Sequence, residues 1–246
     1  MKPSSDTVAC SSANDRTLVI MAKAPRSGMV KTRLAQYLPA PAVTELYRCL
    51  LEDTLALAGS LGNLEVAIMC PASDVYDLAR LARLASDDVV RVVAQTGEGL
   101  AAALTSVFAH FAANGQRTIA FNSDSPHLPG SVLQKAFEAL DACDVVVGPT
   151  HDGGYYLVGA RATYPGLFNG DGMGTSNALE TLLERARSLG LSVHLANPFY
   201  DIDVASDLVQ LDAELKLSPL RAPRTAAWLA EWRPVVAQWK PRTGDL

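Results

Sequence analysis

Short apolar runs rich in β-branched residues alternate with longer amphipathic segments, and this alternation constrains the fold more than any other feature of the chain. The runs predict strands at 18–22, 66–70, 89–93, 118–121, 145–148, 155–158 and 192–195. Between most of them lie segments of helical periodicity, at 41–60, 72–85, 99–113, 131–140 and 175–189. Strand and helix in alternation predict an α/β protein: a mostly parallel sheet between two layers of helices.

One connection departs from this alternation. Only "PTHDGG" separates the strands predicted at 145–148 and 155–158. A crossover between parallel strands needs a dozen or more residues, so one strand of this pair is predicted to be antiparallel. The expected fold is therefore a three-layer αβα sandwich with one antiparallel strand.

Composition limits the classes of partner. The chain has 246 residues, 49% of them hydrophobic, which suits one domain of generous size. A net charge of −5 argues against a broad basic surface for nucleic acid, so an anion site must be local. No apolar run approaches the ~20 residues of a membrane span. Residues 1–16 lack the apolar core of a signal peptide, so we expect a disordered tail and a cytoplasmic protein without a membrane partner.

The C-terminal residues differ from the rest because they hold all three tryptophans, Trp228, Trp232 and Trp239. We predict a domain at 17–215 and a helical extension at 216–246. Trp228 and Trp232 are four residues apart and share a helix face. That face either packs on the protein's own core, covers a substrate site, or contacts a second copy in a homodimer.

The loop after the first predicted strand, "KAPRSGMVKTRLA", concentrates positive charge in an acidic chain. In open α/β sheets, ligands bind beyond the carboxyl ends of the strands. Gly28 allows the backbone to approach a ligand, and Lys31 and Arg33 offer a point charge and a planar fork. Lys23 lies just upstream. The loop lacks the second glycine of a Walker A motif, yet a phosphate chain is its natural target; the alternative is a solvated basic turn.

The loop "QTGEGLAAAL" follows the third strand, and Gly97, Gly99 and Ala102 fit the pattern G-x-G-x-x-A. A dinucleotide fingerprint belongs to the first βαβ unit, so this lone match is weak. The loop more plausibly opens a helix whose N-terminus faces a nucleotide.

Carboxylates follow two later strands: Asp124 in "FNSDSPHLP", and Asp201 and Asp203 in "DIDVASDL". Side chains alternate along an extended segment, so Asp201 and Asp203 lie on one side of it. Each carboxylate could cap a helix. Together, with a cationic loop elsewhere, they favour a magnesium–phosphate site.

The stretch "GPTHDGGYYLVG" contains Gly153 and Gly154, which permit close backbone approach or a positive φ. His151 and Asp152 would then be available to bind a hydroxyl. Asp-Gly between strands is also a strong hairpin signal, and both interpretations are compatible.

The motifs "KAPxxGxxKTRL", "SDSPxLP", "GPxxDGGYYLVG" and "DIDxxxDL" together resemble a bacterial glycosyltransferase-like family long described only as a domain of unknown function. That family belongs to the GT-A superfamily of nucleotide-diphospho-sugar transferases. The resemblance runs from about Leu18 to Leu208. More distantly, the chain resembles 2-phospholactate guanylyltransferases and molybdenum-cofactor nucleotidylyltransferases.

The resemblance implies a Rossmann-like GT-A sandwich, with nucleotide phosphates over the first loop and Mg²⁺ (or Mn²⁺) held by Asp124, Asp201 and Asp203. We predict catalytic roles for Lys31, Arg33, Asp124 and Asp152. The predicted nucleotide contacts are Ala22, Lys23, Gly28, Lys31, Arg33, Gly97, Gly99, Ser123, Gly153 and Gly154.

Three functions remain open at this point. The first is nucleotidylyl transfer from a nucleoside triphosphate to a small phosphate or phosphonate acceptor, which needs no general base because the nucleophile is already an anion. The second is glycosyl transfer from a nucleotide sugar, with a carboxylate such as Asp152 deprotonating the acceptor. The third is a nucleotide-binding module without catalysis.

Overall fold

The computed structural model describes residues 15–85, 89–113, 115–170 and 172–238. Seven strands form one sheet in the order β3-β2-β1-β4-β6-β5-β7. The strands are β1 Arg16–Met21, β2 Glu65–Cys70, β3 Arg91–Ala94, β4 Arg117–Asn122, β5 Val145–Pro149, β6 Tyr155–Ala160 and β7 Val193–Leu195. Each strand overlaps an apolar run of the sequence, and the predicted α/β fold is confirmed.

The antiparallel strand is β6, which lies between β4 and β5 and pairs antiparallel with both. The other described pairs, β1 with β2 and β4, β2 with β3, and β5 with β7, are parallel. The prediction from the short "PTHDGG" connection is therefore correct.

Helices cover both faces of the sheet. They are α1 Ala40–Ser60, α2 Val75–Ala85, α3 Gly99–Phe111, α4 Gly130–Ala139, α5 Ala178–Ser188, α6 Ala205–Leu217 and α7 Pro223–Val236. On one face, α1, α2 and α4 contribute Leu51, Leu78 and Phe137 to a buried cluster. On the other, α3 and α5 contribute Phe108 and Leu182. Covering both faces explains why the central strands are continuous apolar runs.

The helices α6 and α7 form a third cluster against α1, with Leu46, Leu211 and Leu229 buried at its centre. Trp228 is 5% exposed and stacks on Trp232, with ring centroids 5.7 Å apart. The two tryptophans thus share a face, which packs with the protein's own helices. Trp239 lies outside the described residues.

The predicted domain boundaries differ slightly from the observed elements. Residues 1–14, most of the predicted tail, lie outside the described residues, and β1 already begins at Arg16. Helix α6 runs two residues past the boundary predicted at 215. Among the described helices, none is both long and apolar enough to span a membrane.

The topology brings six connections to one edge of the sheet. Strands β1, β2, β3, β4, β5 and β7 all run in one direction, so their carboxyl ends meet there. The turn of the hairpin between β5 and β6 lies at the same edge, because β6 starts where β5 ends. The loops at this edge are 22–33, 71–74, 95–98, 123–129, 150–154 and 196–204.

Candidate active site

Three carboxylates meet at this edge. Asp124, Asp201 and Asp203 each offer an oxygen, and these oxygens all lie within 4.8 Å of one another. The two loops are joined by the backbone, because the Ile202 N–H donates to the Asp124 carbonyl at 3.2 Å. Ile202 is fully buried, so the alternation of an extended segment turns its two aspartate neighbours toward the opposite side.

The cationic loop reaches the same cluster. The Lys31 ammonium lies 2.8 Å from Asp124 Oδ2 and 2.7 Å from Asp203 Oδ1, and its side chain is only 5% exposed. Arg33 is more open to solvent, with Nη1 3.6 Å from Asp203 Oδ2. The sequence suggested that Lys31 faces phosphate; the structure places its ammonium on carboxylates instead.

Burial and charge set the protonation of these groups. Burial lowers the pKa of Lys31, but Asp124 and Asp203 more than offset this, and the pKa is raised above its ordinary value. Burial, reinforced by the charge of Asp203, raises the pKa of Asp201 to about 6. Burial also raises the pKa of Asp203, yet the Lys31 charge dominates and leaves it below its ordinary value.

The cluster fits a hard divalent cation. Carboxylate oxygens are the ligands that Mg²⁺ and Mn²⁺ prefer. Within the described part of the chain, Asp201 forms no ion pair, so one of the three carboxylates has no counter-cation in direct contact. We conclude that these three residues could hold a divalent metal ion.

The first loop is anchored by the loop after β2. The Asp74 carboxylate accepts the Ala24 N–H at 2.9 Å and pairs with Arg26 Nη1 at 2.6 Å. Ala22, a predicted contact residue, is buried and donates its N–H to the Met69 carbonyl. Asp74 was not singled out from the sequence, because an acidic residue just before a helix is also typical of a simple cap.

A tyrosine joins the first loop to Asp124. The Tyr47 hydroxyl accepts the backbone N–H of Lys23 at 3.0 Å and lies 3.1 Å from Ser123 Oγ. Ser123 in turn donates to Asp124 Oδ1 at 3.3 Å. The sequence analysis missed Tyr47, because an aromatic residue in the apolar stripe of α1 is indistinguishable from core. Only the hydroxyl distinguishes Tyr47 from an apolar core residue, since a buried hydroxyl needs a hydrogen-bond partner.

The Tyr47→Phe change tests this link. It keeps the ring but leaves the Lys23 N–H without its acceptor, so we expect a roughly tenfold loss in kcat/KM and a loss of about 1 kcal/mol in stability. Steady-state kinetics and thermal unfolding measure the two effects. Tyr76→Phe is the control, since Tyr76 is 78% exposed on α2. Unchanged kinetics in Tyr47→Phe would show that the link does not support the site.

The third loop lies beside the start of α3. Gly97 and Gly99 both have a φ of +80°, and Gly99 is the first residue of α3. A side chain at Gly97 would press on the side chain of Ala102, which is the alanine of the G-x-G-x-x-A pattern. A cavity of about 520 Å³ adjoins this loop and is lined by Thr96, Ala101 and residues of α3 and 168–170. The glycines therefore shape the turn that leads into α3.

The hairpin loop holds Asp152 in its own turn. Asp152 Oδ1 accepts the Thr150 hydroxyl at 2.5 Å and the Gly154 N–H at 3.2 Å. His151 and Asp152 are exposed, and Asp152 is not part of the carboxylate cluster. The structure thus supports the hairpin interpretation, and it leaves Asp152 apart from the other predicted catalytic residues.

Close packing at position 153 leaves no room for a side chain and therefore requires glycine. The φ of Gly153 is +86°, and a Cβ there would overlap the backbone oxygen of Ser176, where nothing flexible can move aside. We expect Gly153→Ala to lower the free energy of unfolding by about 2–4 kcal/mol. Gly190→Ala is the control, because Gly190 also has a positive φ but open space around it, and should lose about 1 kcal/mol. Denaturant titration measures both, and equal losses would contradict the packing argument.

Comparisons with known proteins agree with this fold. The profile of a family described as "Uncharacterized protein conserved in bacteria (DUF2064)" matches residues 54–175. A crystal structure from Desulfovibrio desulfuricans G20, provisionally described as a nucleotide-diphospho-sugar transferase, has a TM-score of 0.84 and 28% identity. The match covers 92% of this chain and 98% of that one. No curated protein matches the sequence significantly.

Two further structures share the fold at lower identity. A nucleotidyl transferase from Methanothermobacter has a TM-score of 0.56 and 21% identity, over 82% of this chain and 99% of that one. The 4-diphosphocytidyl-2C-methyl-D-erythritol synthase from Anaerococcus prevotii has a TM-score of 0.55 and 13% identity, over 82% and 97%. The protein has a transferase fold of the nucleotidyl and nucleotide-sugar type, and the family resemblance expected from its motifs, to the bacterial DUF2064 proteins, is confirmed.

Proposed function

We propose that this protein is a magnesium-dependent nucleotidylyltransferase. A phosphate or phosphonate oxygen of a small acceptor attacks the α-phosphorus of a nucleoside triphosphate. The bond from that phosphorus to the bridging oxygen breaks, and pyrophosphate leaves with the electron pair. The observation that carries the proposal is the meeting of Asp124, Asp201 and Asp203 with Lys31 and Arg33 at the edge where this fold class binds ligands.

The side chains have distinct roles in this reaction. Asp124, Asp201 and Asp203 would hold the metal, which supplies charge neutralisation at the phosphates when bound. Arg33 and the exposed Lys23 provide positive charge for the β- and γ-phosphates. The Tyr47–Ser123 link keeps the first loop aligned with Asp124. Since the nucleophile is an anion, catalysis consists of alignment and charge neutralisation, with no base required.

Glycosyl transfer is the second candidate, and the similarity to the Desulfovibrio protein favours it. It needs a group to deprotonate an acceptor hydroxyl, and Asp152 was the predicted base. One oxygen of Asp152 is engaged in its own hairpin turn, and the residue lies outside the carboxylate cluster. This placement favours nucleotidylyl transfer.

One experiment separates the candidates. The protein is incubated with Mg²⁺, each nucleoside triphosphate and pooled phosphorylated acceptors, and pyrophosphate is measured. In parallel, release of nucleoside diphosphate is measured from nucleotide sugars. EDTA controls establish the metal requirement. Pyrophosphate release alone supports our proposal, and diphosphate release alone contradicts it in favour of glycosyl transfer. Nucleotide binding with neither product, observed by thermal shift, indicates a non-catalytic module.

A further inference from the structure

The Lys31 ammonium contacts two of the three carboxylates that could hold a divalent cation. It donates to Asp124 at 2.8 Å and to Asp203 at 2.7 Å, so it already engages two of the three candidate ligands. The side chain is 95% enclosed, with 5% of its surface exposed. The cluster thus includes a cation from the protein itself.

The ammonium and a metal ion cannot share this position. Mg²⁺ binds oxygen at about 2.0–2.1 Å, and the three carboxylate oxygens lie within 4.8 Å of one another. A cation held between them would come into close contact with the Lys31 Nζ. Like charges at that separation, away from bulk water, repel strongly. We therefore expect metal binding to favour the withdrawal of Lys31 from the carboxylates.

The backbone at Lys31 is consistent with a side chain held in place by its ion pairs. Its φ is +47°, in the left-handed region that residues with a side chain rarely adopt. Such conformations persist only where surrounding contacts impose them. The preceding residues offer room for a change, because Gly28 has no neighbour that a Cβ would meet and Met29 is 68% exposed.

We propose that Lys31 is a resident counter-cation, and that the substrate which enters is the metal complex of a nucleoside polyphosphate. The phosphates bring the metal to the carboxylates and also accept the displaced Lys31 ammonium. Free metal alone has no such anion to offer, so it competes poorly with Lys31. This inference rests on the proposed function, since it concerns how that site is filled.

Direct metal binding tests the inference without an activity assay. Binding of Mn²⁺ alone is followed by the electron paramagnetic resonance signal of the free ion. Lys31→Met should bind Mn²⁺ at least about tenfold more tightly than the wild type, because the competing charge is gone. Lys31→Arg keeps the charge and should bind as weakly as the wild type. Lys135→Met, which removes the same charge from exposed α4, controls for net charge.

A second measurement uses only the unmodified protein, in case Lys31→Met does not fold. Inorganic tripolyphosphate serves as a probe that carries no base. We expect Mg²⁺ with tripolyphosphate to raise the melting temperature, and Mg²⁺ alone to leave it unchanged. A shift of equal size with Mg²⁺ alone would overturn the inference, as would equal Mn²⁺ affinities for the wild type and a folded Lys31→Met.

The failure of this inference differs from the failure of the proposed function. If pyrophosphate is released but the wild type binds free Mn²⁺ as tightly as Lys31→Met, the nucleotidylyltransferase stands and only the role of Lys31 as counter-cation is wrong. If neither protein binds Mn²⁺ under any condition, the counter-cation role and the metal site are both wrong.

Discussion

Asp124→Asn is expected to lower turnover by about 10³-fold while the protein remains folded. The amide keeps the shape of the side chain but removes a charged oxygen from the cluster that would hold the metal. It also removes the ion pair with Lys31. The measurement is kcat/KM for the activity found in the pyrophosphate or diphosphate assay, with circular dichroism to establish folding.

The control for this prediction is Asp141→Asn. Asp141 is an exposed carboxylate that pairs with Arg117 at the start of β4, at the opposite edge of the sheet. The Asp141→Asn variant has the same chemical change at a position outside the candidate site, so its kinetics should equal those of the wild type. Full activity in Asp124→Asn would exclude this carboxylate from the reaction and remove the main support for the proposed function.

Asp53→Ala is expected to lower the free energy of unfolding by about 3 kcal/mol, or the Tm by roughly 6–12 °C. Asp53 lies in α1 with its side chain fully enclosed, and it accepts the N–H groups of Arg224 and Thr225 at 3.2 and 2.8 Å. These are orphan donors of the first turn of α7, so a carboxylate from one helix caps another. Its removal leaves two amide groups with no acceptor from α1.

Glu45→Ala is the matched control on the same helix. Glu45 is half-exposed and pairs with Arg48 one turn away on the surface, an interaction worth less than about 1 kcal/mol. Thermal and denaturant unfolding of both variants measure the difference. Equal losses would show that the contact of α7 with Asp53 contributes no more than a surface ion pair.

The sequence predicted the central strands well because they are buried on both faces and read as apolar runs. The antiparallel strand was predicted from the short connection "PTHDGG", which cannot hold a crossover between parallel strands. The acidic cluster followed from the rule that strand ends meet at one edge. These features depend on local pattern and on topology, which a single sequence carries.

The contacts within the site depend on distances that the sequence does not carry. Lys31 and Asp203 are separated by 172 positions, and their pairing could not be distinguished from two groups that each face a ligand. Tyr47 occupies a position of α1 that apolar periodicity alone explains. Asp152 was predicted to be catalytic because Asp-Gly-Gly allows both a turn and a ligand contact; only the structure shows its oxygen engaged within the turn.

The reversed direction of β6 makes two sides of the candidate site depend on different parts of the chain. Because β6 ends at the far edge of the sheet, the chain that follows it must return before Ser176 can pack on Gly153. Lys31 and Asp124 are positioned by other strands and do not depend on the length of that return. A change in the length of this return would therefore alter the packing beside the hairpin and leave Lys31 and Asp124 in place.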